Sequence, residues 1–147
     1  MTRAFACACR AVTGTASGEP LSVTWCHCGD CRRESGAPAF VWVGWPDRKV
    51  DVSKGSLRTR STRPGVTRDR CGTCGSTIAY RDAGLPDAVY IPAGAFDEPD
   101  AFVPTEHAFW PERVSWLPIA DSLPRRDAVT QPRVASASSP GTSPNDA

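Results

Sequence analysis

The chain has 147 residues, a formal net charge of +1, 14 prolines and seven cysteines. That length fits one domain around a single small core, and a charge this near neutral argues against nucleic acid as a partner. The longest largely apolar stretch, Ala37 to Trp45, is far short of the roughly 20 residues a spanning helix needs, so no membrane partner is expected.

The elements predicted in chain order are mostly strands. Leu21 to Trp25 alternates apolar and polar side chains, as a half-buried strand does. Ala39 to Val43 is an apolar run of strand length, closed by Gly44 and Pro46. Val50 with Val52, Leu57 to Thr62, Thr77 to Tyr80 and Ala88 to Ala93 add further strands, with proline and glycine between them. Short strands with regular turn signals predict an all-β sandwich or barrel-like fold. Short helical turns are expected around Asp30 to Ser35 and Pro99 to Phe102. The folded domain is expected over residues 1–126. Residues 127–147 read as a disordered tail, because Ser, Pro and Ala dominate and too little apolar surface is present to offset ordering entropy.

The apolar run Ala4 to Cys9 is too short for a secretion signal and runs into Arg10. A cytoplasmic protein is therefore expected, and there thiols stay reduced. All seven cysteines fall in tight clusters: Cys7-x-Cys9, Cys26-x-Cys28-x-x-Cys31 and Cys71-x-x-Cys74. Such spacing suits metal ligation rather than a disulfide framework. A C-x-C pair on extended chain presents both thiols on one face. A C-x-x-C pair closes a tight turn around an ion, helped by a nearby glycine, as in Cys71-Gly72-Thr73-Cys74-Gly75.

Two partitions satisfy the spacing. Cys28, Cys31, Cys71 and Cys74 could form one ribbon-like site. Alternatively, Cys7, Cys9, Cys71 and Cys74 form a closed four-thiolate site, and Cys26, Cys28 and Cys31 form a three-thiolate site with one open position. The second uses every cysteine. Structural zinc is closed and four-coordinate, whereas catalytic zinc keeps a position for water or substrate. Arg10, Arg32, Arg33 and Arg70 flank the clusters. They could offset thiolate charge, hold a substrate carboxylate or simply be solvated.

The pattern resembles the glutathione-dependent formaldehyde-activating enzyme family, which shares its domain with centromere protein V. The matching segments are Cys7-Ala8-Cys9, the run Cys26-His27-Cys28-Gly29-Asp30-Cys31-Arg32-Arg33-Glu34-Ser35-Gly36-Ala37-Pro38, and Cys71-Gly72-Thr73-Cys74-Gly75-Ser76. Gly94 to Pro99, Pro104-Thr105-Glu106-His107, Trp116 and Asp121-Ser122-Leu123-Pro124 are also similar to it. Phe5 and Arg10 stand where the family carries glycines beside the first cluster.

The resemblance implies an all-β, Mss4-like zinc-stabilised fold of short folded antiparallel sheets. It implies two zinc ions: a structural one on Cys7, Cys9, Cys71 and Cys74, and a catalytic one on Cys26, Cys28 and Cys31. The implied activity is carbon–sulfur bond formation and cleavage, joining glutathione to formaldehyde as S-(hydroxymethyl)glutathione, with a small thiol and an aldehyde as partners. An acid must protonate the nascent alkoxide. His27 and Asp30 are the nearest candidates in sequence, with His107 a further one, although His27 on extended chain would point away from its neighbouring ligands. Trp42, Trp45, Trp110 and Trp116 read as core or pocket wall. The competing reading is a non-catalytic zinc-stabilised binding module, its three-cysteine site vestigial or closed by a protein ligand such as His27.

Overall fold

The computed structural model of the protein describes residues 1–129, so most of the expected tail lies outside the described residues. The strands among the described residues are β1 (Thr2–Ala6), β2 (Thr13–Ser17), β3 (Ser22–Cys26), β4 (Phe40–Pro46), β5 (Val50–Lys54), β6 (Leu57–Arg63), β7 (Val66–Cys71), β8 (Thr77–Asp82), β9 (Ala88–Pro92) and β10 (Glu106–Ala108). The one α-helix among the described residues, α1, spans Gly29–Ser35. No helix among those residues is long and apolar enough to cross a membrane.

The strands form a three-stranded sheet, β1-β2-β5, and a seven-stranded sheet, β10-β3-β4-β9-β8-β7-β6. The all-β expectation holds. One pairing departs from the antiparallel rule, since β10 lies parallel to β3. The sequence reading anticipated β3, β4, β5, β6, β8 and β9, and it missed β1, β2, β7 and β10. β7 reads Val-Thr-Arg-Asp-Arg-Cys, with too few apolar residues to signal a strand by pattern. Its ladder bonds to β6 and β8 hold it instead.

Directly paired residues of neighbouring strands project from the same face of a sheet. On one face of the large sheet, Val43 lies opposite both Val23 and Ile91, and Trp45 lies opposite Val89. Together with Phe5 and Val12, these side chains form the main core. The other face carries a different set. Thr24 pairs Trp42, Cys26 pairs Phe40, Gly44 pairs Tyr90, Tyr90 pairs Tyr80, Tyr80 pairs Arg68, and Arg68 pairs Arg60. Polar, aromatic and thiol groups thus share a surface that α1 crosses.

Phe5 is fully buried opposite Gly14 on β2. A Cβ on Gly14 would lie 2.4 Å from the Phe5 ring and 2.5 Å from the Asp51 carbonyl oxygen. Gly14→Ala is therefore expected to destabilise the fold by about 1–3 kcal/mol through overpacking, as read from a urea midpoint shift.

Candidate metal centres

All seven cysteines are free thiols, and their sulfurs converge in two groups. Cys7, Cys9, Cys71 and Cys74 form one, and Cys26, Cys28 and Cys31 form the other. The ribbon-like set of Cys28, Cys31, Cys71 and Cys74 does not assemble. Cys71 ends β7 far along the chain, and β1 brings Cys7 to it instead.

Two chain reversals build the four-cysteine group. After β1, the Cys7 N–H donates to the Val12 carbonyl at 3.0 Å and the Arg10 N–H to the Cys7 carbonyl at 2.9 Å. After β7, the Cys71 N–H donates to the Ser76 carbonyl at 2.9 Å and the Gly75 N–H to the Cys71 carbonyl at 3.0 Å. The residue after the second cysteine is left-handed in both turns: Arg10 at φ 58 and Gly75 at φ 78. Arg10 therefore adopts the conformation that a glycine there accepts without strain. Cys7-x-Cys9 sits in this turn rather than on extended chain, so the turn, not strand alternation, brings the two sulfurs to 3.5 Å.

Backbone N–H groups point at these sulfurs. Val12 donates to Cys7 at 3.2 Å, and Thr73 and Cys74 each donate to Cys71 at 3.4 Å. The Cys74 thiol is held down at about 5, first by the Ser76 hydroxyl and then by the Ser76 backbone.

The three-cysteine group lies on the polar face of the large sheet. Cys26 ends β3, Cys28 caps α1, and Cys31 lies in its first turn. The Cys31 N–H donates to Cys28 Sγ at 3.3 Å. Cys26 Sγ lies 3.4 Å from the sulfurs of both Cys28 and Cys31. The Cys26 and Cys28 thiols and, against burial, Trp42 and Arg68 draw the Cys31 thiol well below its ordinary range. The Trp42 Nε1–H donates to Cys31 Sγ at 3.4 Å. The Cys28 and Cys31 sulfurs, and then burial, push the Cys26 thiol up.

The sulfur spacing suits a metal. A tetrahedral ion with bonds of about 2.3 Å to sulfur sets its ligands about 3.8 Å apart, and the closest pairs here lie at 3.4–3.9 Å. Four thiolates complete such a shell. Three leave one position open, and that group borders a cavity of about 580 Å³. The cavity wall includes Trp42, Tyr80, Tyr90, Arg63 and Arg68. A larger, shallower hollow of about 840 Å³ flanks the four-cysteine group at Cys7 and Arg10.

The flanking arginines mostly serve other groups. Arg10 pairs with Asp97, Arg32 donates to the His27 and Glu112 carbonyls, and Arg70 donates to Glu34 and the Gly75 carbonyl. Arg33 borders the cavity. Helix α1 is gripped along its length: Arg63 holds Asp30, and Arg60 and Arg70 hold Glu34. Burial alone would raise the Glu34 pKa, but its hydrogen bonds to Arg70 and Arg60 outweigh that and lower it. A depressed carboxylate pKa contributes stability above its unfolded value, near 4.3, and loses it as pH falls through the folded value. The stability gap between wild type and Glu34→Gln is thus expected to be about 1 kcal/mol and flat above pH 5. It should close at lower pH, as measured by urea unfolding across pH.

His27 and His107 lie away from the cavity. Both are fully buried, and His27 Nε2 lies 2.8 Å from His107 Nδ1. His107 Nε2 reaches the Asp121 carboxylate at 3.0 Å. This contact holds the Asp121 carboxyl below its usual range. An ionised Asp121 makes His107 a donor through Nε2 and an acceptor at Nδ1, so His27 donates through Nε2. Burial, and then His107, lowers His27 to about 4 and keeps it neutral. Asp30 borders the cavity, as does Glu112, whose carboxylate accepts the Gly29 N–H at 2.7 Å. Trp45 is core, Trp110 packs against both histidines, and Trp116 is exposed. The sequence reading did not single out Glu112, Arg63, Arg68, Tyr80 or Tyr90. No local pattern distinguishes them, since strand register brings most of them together.

Residues 2–112 match the family described as glutathione-dependent formaldehyde-activating enzyme. The chain belongs to that family. A crystal structure of a Rhodobacter sphaeroides protein shares the fold, with a TM-score of 0.55 and 21% identity over 64% of this chain and 87% of that one. No curated protein matches the chain. Both cysteine groups of this glutathione-dependent formaldehyde-activating family member fall within the matched residues.

Proposed function

We propose that the protein is a zinc-dependent carbon–sulfur lyase that joins a small, glutathione-like thiol to an aldehyde such as formaldehyde. The observation that carries this reading is a three-cysteine group, one ligand short of a tetrahedral set, bordering a walled cavity, beside a four-cysteine group that offers a full set. Tetrahedral all-thiolate sets suit zinc. On Cys26, Cys28 and Cys31 it would supply Lewis acidity and an open position; on Cys7, Cys9, Cys71 and Cys74 it would hold two distant turns together.

In the reaction, a sulfur–carbon bond forms as the carbonyl π bond breaks, and the thiol proton ends on the former carbonyl oxygen. The chain's residues shape that exchange. Arg33 and Arg63 offer cationic groups for substrate carboxylates at the cavity rim. Trp42, Tyr80 and Tyr90 wall off water. Asp30 and Glu112 are the carboxylates bordering the cavity that could carry the proton. His27 is supported less as the acid, because its Nε2 is committed to His107 and it does not border the cavity. That commitment also speaks against the binding-module reading in which His27 closes the three-cysteine site. Seven free thiols suit a reducing compartment, the cytosol.

Exchange NMR with glutathione and formaldehyde tests the reading. Adduct formation should be faster than the uncatalysed rate with wild-type protein carrying two zinc ions, and it should return to the background rate with Cys28→Ser. Background rate with fully loaded wild type would overturn it.

A further inference from the structure

Arg68 is an unusual residue to find beneath a sheet surface. It sits mid-strand on β7 and is 4% exposed. None of the ion pairs among the described residues includes it. Its Nε is buried without a partner. Its guanidinium carbon lies 4.9 Å from the centroid of the Tyr80 ring, and its Nη2 donates to Cys31 Sγ at 3.8 Å. A buried arginine lacking a carboxylate is costly unless another anion balances it. Its guanidinium touches the three-cysteine group, whose thiolates are an anionic centre.

Charge counting gives this contact a purpose. Three thiolates and one divalent ion carry a net charge of −1, which a buried guanidinium brings to zero. The four-cysteine group, by contrast, receives backbone N–H groups and the Ser76 hydroxyl, while Arg10 and Arg70 turn to carboxylates. The two centres therefore differ in how their charge is balanced as well as in ligand number.

We propose that Arg68 is the positioning residue of the three-cysteine centre. It balances the centre's charge through Cys31, so that the centre retains its metal and accepts an anionic sulfur ligand at the open position. The Tyr80 ring lies against the guanidinium, and the register Arg60–Arg68–Tyr80 sets the three side chains on one sheet face. The proposal rests on metal binding by Cys26, Cys28 and Cys31, and not on which reaction follows.

The test measures metal affinity at each centre by chelator competition on zinc-loaded full-length protein, with Arg68→Met, Arg68→Gln and Arg68→Lys. Loss of a partner group contacting a ligand typically weakens metal affinity 10- to 100-fold. A drop of that size is expected at the three-cysteine centre in Arg68→Met and Arg68→Gln. Affinity at the four-cysteine centre should stay unchanged, and Arg68→Lys should recover part of the loss. Cobalt-substituted protein titrated with 2-mercaptoethanol supplies a second readout: the sulfur-to-cobalt absorption change should need at least ten-fold more thiol in Arg68→Gln. Comparing the Lys and Gln variants keeps the test decisive even if Arg68→Met fails to fold. Equal losses at both centres, or Lys and Gln variants that behave alike, would overturn the proposal. A wild-type chain that binds a single zinc would instead overturn the site reading on which it rests.

Discussion

Cys71→Ser is expected to abolish cooperative folding, whereas Cys28→Ser keeps the fold and loses one of two metals. The difference follows from what each group ties together. Cys71 ends β7 and Cys74 follows it, while Cys7 and Cys9 follow β1, so the four-cysteine group links the small sheet to the β7 end of the large one. Cys7 and Cys71 belong to the main core. A structural zinc site of this type contributes on the order of 10 kcal/mol of folding free energy in small domains, comparable to a whole domain's net stability. Cys26, Cys28 and Cys31, by contrast, lie within a short stretch whose strand and helix have other contacts. Native mass spectrometry should report two zinc ions in wild type and one in Cys28→Ser, with near-native circular dichroism. Cys71→Ser that retains a sharp unfolding transition would contradict the assignment of the four-cysteine group as the structural centre.

His107→Ala is expected to cost about 3–5 kcal/mol. The ring is buried between Trp25, at a centroid distance of 6.4 Å, and His27, at 5.1 Å, with Trp110 edge-on. Its removal leaves a cavity among aromatics and orphans the buried His27 donor, while Asp121 keeps the Leu123 N–H and solvent. The backbone of His107 also pairs with Pro124 and Arg126, fastening the 121–126 segment to β10. Because His27 sits between two ligands, the loosened loop should also weaken metal retention by the three-cysteine group. Urea unfolding at fixed zinc measures the first effect and chelator competition the second. The double variant His27→Ala/His107→Ala should cost less than the sum of the singles, since both remove the same hydrogen bond.

What the chain reveals before folding is uneven. Cysteine spacing alone marks all seven ligand candidates, because metal chemistry demands short loops between paired thiols. It leaves open which pairs share an ion, since that depends on which turns meet in space. Strands with apolar alternation, such as β3, are legible from pattern. β7 is not, because its polar residues earn their place from neighbours: Arg68 from Cys31, and Asp69 from Arg81 at 2.6 Å and Thr59 at 2.6 Å. The 3₁₀ turn at Pro99–Ala101 and α1 fall close to the expected helical turns, since capping and proline signals act locally.

Residue type and short spacing carry the candidate ligand set, the all-β class and the family pattern. The folded chain adds the rest. It splits the cysteines into a closed group and an open one, turns both histidines to the side away from the cavity, and moves the charge-balancing role to Arg68. The cysteine split depends on which turns meet in space, and the placement of the histidines and of Arg68 on strand register and sheet face, where a one-residue shift would turn those side chains to the other side.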